Sequence, residues 1–263
     1  MIAAIIQARL GSSRLPNKVI KPILGRPMIW HILNRISNSK RLEKIIVAIP
    51  DSDKDTELEE ILKKNGSLYF CGNDQDVLDR YYQCAKEFNV DIIVRLCADD
   101  AFCDPAVIDK SISLFLAKSP DIDCVASSVG TSTYPEGMEV EVFSFSCLEQ
   151  MWKGAKKKSE REHVTPFIFN NKSEFNIAAM PSLNEDLSHM RWSVDYDIDY
   201  RFVTQVYNNL YHKKNIFLMN DILELLNKKR SLSKMNNHIA RYEGYYKSIK
   251  EDKPVFRSFR SYD

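Results

Sequence analysis

The chain has 263 residues, of which 44% are hydrophobic and 28% charged, and its 37 Lys and Arg against 36 Asp and Glu leave a formal charge of +1. A chain this long buries roughly 70–75% of the surface its unfolded form exposes, enough for a large core without disulfide or structural metal. The balanced total excludes a general nucleic-acid binder, whose phosphate-backbone affinity needs a basic excess. It also conceals segregation: residues 1–42 carry eight basic and no acidic side chains, a net +8, whereas residues 51–123 carry seventeen acidic and eight basic ones, a net −9. A cationic opening before an acidic middle suggests a small anion held near carboxylates with a divalent cation between them. Chance clustering of solvated charge is the bland alternative.

Residues 2–7 are nearly all apolar and β-rich, as expected of a strand covered on both faces in a parallel sheet. Residues 27–36 have helical spacing and residues 45–49 form a second buried strand ended by Pro50, giving a β-loop-α-β unit. A helix is expected over 56–64, a short strand over 68–71, a helix over 76–88 and a strand over 91–96. Asp104-Pro105 reads as an N-cap with proline in the first helical position. A strand over 121–127 follows. This alternation predicts a doubly wound α/β sheet, with ligands beyond the carboxyl ends of the strands, after Gln7, Cys71 and Leu96. From 134 the pattern changes. Residues 138–143 alternate strictly, predicting an antiparallel strand, followed by a helix over 148–157, strands over 176–180 and 190–194, and helices over 202–210 and 222–226. Residues 1–230 are expected to form one domain with a small extension over 134–180, and residues 231–263 a basic, Tyr- and Phe-rich tail that faces a partner or covers the sheet.

Six cysteines, at 71, 84, 97, 103, 124 and 147, are dispersed without a C-x-x-C pair or a His-rich cluster, so reduced buried thiols are expected. Arg9 interrupts the first apolar run too soon for a signal-peptide core or membrane span. A cytoplasmic location without a membrane partner is the expectation.

The first loop reads Gln7-Ala-Arg-Leu-Gly-Ser-Ser-Arg-Leu-Pro-Asn-Lys18, then Gly25-Arg-Pro-Met-Ile29. It is neither a G-x-G-x-x-G nor a Walker A loop. A Gly-Ser-Ser turn offers backbone N–H groups, and Arg9, Arg14 and Lys18, four or five residues apart, can surround a polyphosphate; a solvated basic loop is the competing reading. Further strings are Gly72-Asn-Asp-Gln-Asp-Val-Leu-Asp-Arg-Tyr81, Arg95-Leu-Cys-Ala-Asp-Asp-Ala-Phe-Cys-Asp-Pro105, Tyr134-Pro-Glu-Gly-Met-Glu-Val-Glu141, Glu160-Arg-Glu-His-Val-Thr-Pro166 and Arg191-Trp-Ser-Val-Asp-Tyr-Asp-Ile-Asp199.

On these strings, over roughly residues 1–210, the sequence resembles the cytidylyltransferase family of the CMP-Kdo and CMP-acylneuraminate synthetases, nearest its SpsF-like branch. The resemblance implies a Rossmann-like sheet of the nucleotide-diphospho-sugar transferase type, with a small antiparallel dimerisation and acceptor extension. It implies condensation of CTP with a sugar acid or phosphate-bearing acceptor, with release of pyrophosphate, in a Mg²⁺-dependent reaction of surface polysaccharide or glycan assembly. Ala8, Arg9, Gly11, Ser12, Ser13, Arg14 and Lys18 would hold the nucleotide, Lys18 stabilising charge on the α-phosphate with Arg14 and Asp99 beside it. Asn73, Asp76 and Arg80 would meet base and ribose, and Asp99 and Asp195 the metal. Glu141, His163 and Arg191 are acceptor-side candidates, and a homodimer is implied.

The sequence departs from the branch pattern at Ala98, Asp100 and Ala101, where Gly, Cys and Pro are expected, so Asp100 is an alternative to Asp99. Structural readings compete at several positions: Asp199 as a helix cap, His163 as a packed residue at the start of an apolar helix, and Arg80 as an ion-pair partner of Asp76. Asp121-Ile-Asp123 and Asp197-Ile-Asp199 both match the D-x-D of metal-dependent glycosyltransferases, the rival function; Asp121 lies at the wrong end of its strand and Asp197 reads more simply as a helix start.

Overall fold

The computed structural model describes residues 1–127, 132–214 and 216–252. In chain order the strands are β1 (Ile2–Gln7), β2 (Pro22–Ile23), β3 (Arg26–Pro27), β4 (Lys44–Pro50), β5 (Leu68–Gly72), β6 (Ile92–Cys97), β7 (Cys124–Ala126), β8 (Glu141–Ser144) and β9 (Ile177–Ala179). The helices are α1 (Met28–Ile36), α2 (Thr56–Lys64), α3 (Val77–Glu87), α4 (Pro105–Lys118), α5 (Phe145–Gly154), α6 (Lys158–His163), α7 (Pro166–Asn170), α8 (Asp197–Leu210), α9 (Met219–Lys228), α10 (Arg230–Ser233) and α11 (Glu243–Glu251).

Seven strands form one sheet in the order β5-β4-β1-β6-β8-β7-β9, and β2 and β3 pair apart from it as an antiparallel ribbon. Within the sheet β8 runs antiparallel to both its neighbours, while the other pairings are parallel. The period-two geometry of β1 explains its unbroken apolar run: Ala4 and Ile6 face the core under α1, α4 and α8, and Ala3 and Ile5 face the core under α3 and α5. Each buried Ile or Leu on these faces contributes about 1.5–3 kcal/mol through removal from water.

Caps set the helix starts. Asp76 accepts from Asp79 N at the start of α3, Ser144 from Cys147 N at α5, and Asp104 from Ala106 N at α4, where Pro105 follows as anticipated. The expected strand over 138–143 starts later, at Glu141, and lies between β6 and β7 in the main sheet. With both its edges hydrogen-bonded inside the sheet, β8 has none left to pair with a second chain. The segment 190–194 makes only an isolated bridge, Arg191 to Glu136, because its polar groups turn inward to a charge network. Among the described residues the cysteines are free thiols, and burial raises the pKa of Cys84, Cys103, Cys124 and Cys147.

Candidate active site

The carboxyl ends of β1 and β6 open into a cleft of about 340 Å³. The loop after β1 is pinned from beneath: Leu10 N donates to Asp55 Oδ1 at 2.6 Å, and Ser12 N and Asn17 N both donate to Leu10 O. Asn17 sits in the left-handed region at φ 58°, which Asn tolerates better than most residues, and so turns the chain into the short 3₁₀ segment that begins at Lys18. Ala8, Arg9, Ser12, Ser13, Arg14 and Lys18 line the cleft together.

Lys18 is 9% exposed, and its three ammonium protons find three acceptors: Asp99 Oδ2 at 2.9 Å, Asp195 Oδ1 at 2.9 Å and Val194 O at 2.8 Å. Burial opposes its charge, but Asp99 and Asp195 more than offset that, so its pKa is raised and it stays an ammonium. Arg14 reaches Asp195 Oδ1 at 2.7 Å and Glu243 at 3.5 Å, with its guanidinium over the Tyr196 ring. Asp195 also accepts from Arg191 through Oδ2 at 2.8 Å. Its pKa is lowered despite burial, because Lys18, Arg14 and Arg191 surround it.

Asp99 borders the cleft and uses Oδ2 for Lys18, while its remaining oxygen makes no hydrogen bond among the described residues. Asp100 is 7% exposed and its carboxylate has no hydrogen-bond partner there; burial and the neighbouring Asp99 push its pKa well up. Asp99 and Asp100 each offer an oxygen within 4.8 Å of the Cys97 sulfur. The carboxylates suit a hard divalent cation, and the thiol is the member such an ion would not use.

Asp99 and Asp195 also border a second chamber, of about 410 Å³, together with Arg14, Arg95, Cys97, His163 and Gly244, so these seven form the junction between the two spaces. The second chamber is rich in carboxylates and aromatic rings: Asp100, Glu136, Glu139, Glu141, Phe169 and Tyr242 border it. Glu141 is held by Arg95 at 2.7 Å and accepts from Thr165 Oγ1. His163 ends α6 rather than opening a helix, just before Val164 at φ 71°. Its Nε2 lies 3.0 Å from Ser248 Oγ, and burial lowers its pKa to about 4, so the imidazole is neutral near pH 7.

Several expected contacts lie elsewhere. Arg191 pairs with Glu136, Asp195 and Asp199 and borders neither chamber. Asp199 is fully buried and accepts from the N–H groups of Asp195 and Tyr196 at the start of α8, in keeping with a structural reading. Gly11 lies off the cleft lining. Asn73 closes a turn by accepting from Gln75 N and Asp76 N, and Asp76 caps α3 and pairs with Arg161 at 2.5 Å. Arg80 therefore does not pair with Asp76: it borders the cleft, donates to Asn73 O at 2.9 Å and, among the described residues, leaves its buried Nε without a hydrogen-bond partner. Of the two D-x-D strings, Asp123 accepts from Asn176 N, Asp197 pairs with Arg201, and neither string touches the cleft.

Reasoning from sequence did not single out Arg95, although a charge inside an apolar strand was the available signal. It also did not place the C-terminal residues: Gly244, Lys247, Ser248 and Glu251 of α11 border the cleft, and Tyr242, Tyr245 and Tyr246 border the second chamber.

A mostly parallel sheet with a cation-rich cleft at its strand ends and carboxylates at the mouth of a second chamber is an arrangement that suits a nucleotidyltransferase. The chain belongs to the cytidylyltransferase family, whose profile matches residues 3–244. A cytidylyltransferase structure from Leptospira borgpetersenii serovar Hardjo-bovis is 31% identical, superposes with a TM-score of 0.83, and the match covers 89% of this chain and 96% of that one. The spore coat polysaccharide biosynthesis protein SpsF of Bacillus subtilis is 26% identical over 233 residues, 86% of this chain and 94% of its own length. A CMP-2-keto-3-deoxy-manno-octonic acid synthetase solved in complex with CTP shares the fold at 18% identity and a TM-score of 0.61, over 79% of this chain and 98% of that one.

Proposed function

We propose that this chain is a Mg²⁺-dependent cytidylyltransferase that joins CTP to a sugar acid or phosphate-bearing acceptor, releasing pyrophosphate, in the assembly of a surface polysaccharide or glycan. The observation that carries the reading is the junction at Asp99, where the cationic cleft beneath β1 meets the second chamber. Family membership and the CTP bound in the octonic acid synthetase support the nucleotide; the name of the Bacillus relative supports the pathway.

Arg9, Arg14 and Lys18 take the triphosphate, Arg80 meets the base and ribose from the same cleft, and the acceptor enters from the second chamber toward the α-phosphorus. Phosphate oxygens compete with Asp195 for Arg14 and Lys18, the same two cations that now engage its Oδ1. Nucleotide entry therefore frees that carboxylate to join Asp99, with Asp100 as the unpartnered neighbour, in holding a divalent cation. Bound Mg²⁺ supplies charge neutralisation at the phosphate oxygens. Where the acceptor is a hydroxyl, a carboxylate bordering the second chamber takes its proton; a phosphate acceptor requires no base.

The protein is proposed to work in the cytoplasm as a homodimer; among the described residues no helix is long and apolar enough to cross a membrane. Because β8 is interior, it is not an edge for a partner copy, the sheet edges being β5 and β9, and sedimentation equilibrium tests the state. The function is tested by incubating the protein with each nucleoside triphosphate, Mg²⁺ and a panel of sugar acids and sugar phosphates, and measuring pyrophosphate. Release with CTP alone is expected; neither release nor CTP binding with any acceptor overturns the nucleotide choice.

A further inference from the structure

Helix α11 is held over the cleft by polar contacts. Lys158 pairs with Glu251 at 2.6 Å, Ser159 donates through N and Oγ to Asp252 at 2.9 and 2.6 Å, and Ser248 Oγ donates to Glu162 at 3.0 Å. At the other end Tyr196 donates to Glu243 at 2.7 Å, and Arg14 approaches the same carboxylate. Ser248 is the buried residue of the helix, whereas Tyr246 and Ile249 are exposed, so the attachment is made by charge and hydrogen bonds rather than by an apolar stripe.

This attachment carries Lys247 to the cleft lining. The other cations there already have protein partners: Lys18 and Arg14 hold Asp195, Lys158 holds Glu251, Arg80 donates to Asn73 O, and Arg9 lies 3.8 Å from Glu162. Lys247 makes no ion pair or hydrogen bond among the described residues, and Glu251 feels its charge only at longer range. A flexible ammonium on an exposed stem at the lining of a cation-rich cleft needs little reorganisation to bind a phosphate.

We propose that Lys247 is a phosphate-binding residue of the nucleotide site, delivered by the C-terminal helix, which thereby forms the outer wall over the triphosphate. The inference rests on the cytidylyltransferase reading for the identity of the nucleotide, but not for the phosphate contact itself. Loss of one such contact weakens polyphosphate binding by about tenfold.

Titration of the full chain with CTP and, separately, with inorganic tripolyphosphate tests it, alongside steady-state kinetics. Lys247→Ala is expected to weaken both ligands about tenfold and to raise KM for CTP with kcat within about twofold. Lys247→Arg should restore binding, and Lys250→Ala, on the same helix but off the cleft lining, should bind like the unaltered chain. Asp252→Ala, which removes an anchor of the helix, should weaken binding too, and adding Lys247→Ala to it should cost less than it does alone. Equal affinity of Lys247→Ala and the unaltered chain for both ligands, or an equal loss in Lys250→Ala, overturns the inference while leaving the proposed function standing. Tripolyphosphate binding that depends on Lys247 without any preference for CTP upholds the inference and counts against the nucleotide choice. Failure of the unaltered chain to bind either ligand overturns both.

Discussion

At the scale of single residues, the junction depends on carboxylates whose charge is set by their neighbours. Lys18 satisfies two of them and a carbonyl, so its removal affects both charge on the substrate and the spacing of Asp99 from Asp195. Lys18→Met is expected to lower kcat/KM for CTP by roughly 10²–10³-fold, and Asp99→Asn by a comparable factor that added metal does not restore, with unchanged far-ultraviolet circular dichroism in both. His163 gives a pH signature. Its folded pKa, about 4, lies below the ordinary value of 6.5, so the unfolded chain takes up its proton first as pH falls. The stability that the neutral imidazole contributes is complete above about pH 6.5 and is lost between there and about pH 4. Thermal melts across that window should show a shallower decline in His163→Gln than in the unaltered chain; identical slopes would remove His163 as a source of acid sensitivity. The cations and Asp99 of this site were legible because they occur within long, specific strings. Asp100, Arg95 and the roles of Asp195 were less so, since a residue's partners across 80 or 170 positions leave no local trace.

At the scale of elements, two loops must approach closely to build the second chamber. Gly137 has φ +92°, and a Cβ there would stand 2.6 Å from Ser193 N, beside the paired segments Glu136 and Arg191. Gly137→Ala should therefore both strain the backbone and push Ser193 away, at a cost of about 1–3 kcal/mol in denaturant unfolding. Activity should fall more steeply than stability, because Val194 and Asp195 follow directly. Asp104 makes a second such link, capping α4 through Ala106 N and accepting from Met219 N at the start of α9. Asp104→Ala is expected to cost about 1–3 kcal/mol, more than an isolated cap, since Met219 N also loses its partner. The helices and parallel strands were readable from periodicity and caps, which are local. Segment 190–194 was misread as a strand because alternation cannot tell a residue facing a sheet from one facing a buried ion network.

For the whole molecule, the sheet gathers charges that the chain keeps apart. Arg9, Arg14 and Lys18 come from the basic opening, Arg80 and Asp99 from the acidic middle, and Asp195 and Lys247 from the last third. Saturating CTP should accordingly stabilise the entire fold, by about 2.7 kcal/mol at a hundred times its Kd, seen as a melting midpoint several degrees higher. Raising ionic strength should weaken that shift, and a chelator should abolish turnover while leaving the midpoint of the free protein unchanged. A melting midpoint indifferent to CTP would argue against the cleft as a nucleotide site.

The alternation of strands and helices was enough to determine an α/β chain, and the long strings beginning with Gln7 to Lys18 its resemblance to a nucleotide-using family, because strand ends and basic loops are written in contiguous residues. The tertiary structure alone decided that β8 enters the middle of the sheet, that Arg191 pairs with Asp195, and that α11 borders the cleft. Each of those depends on which distant groups satisfy one another once water is excluded. That choice is made by packing and charge pairing in three dimensions, and no period or motif along the chain records it.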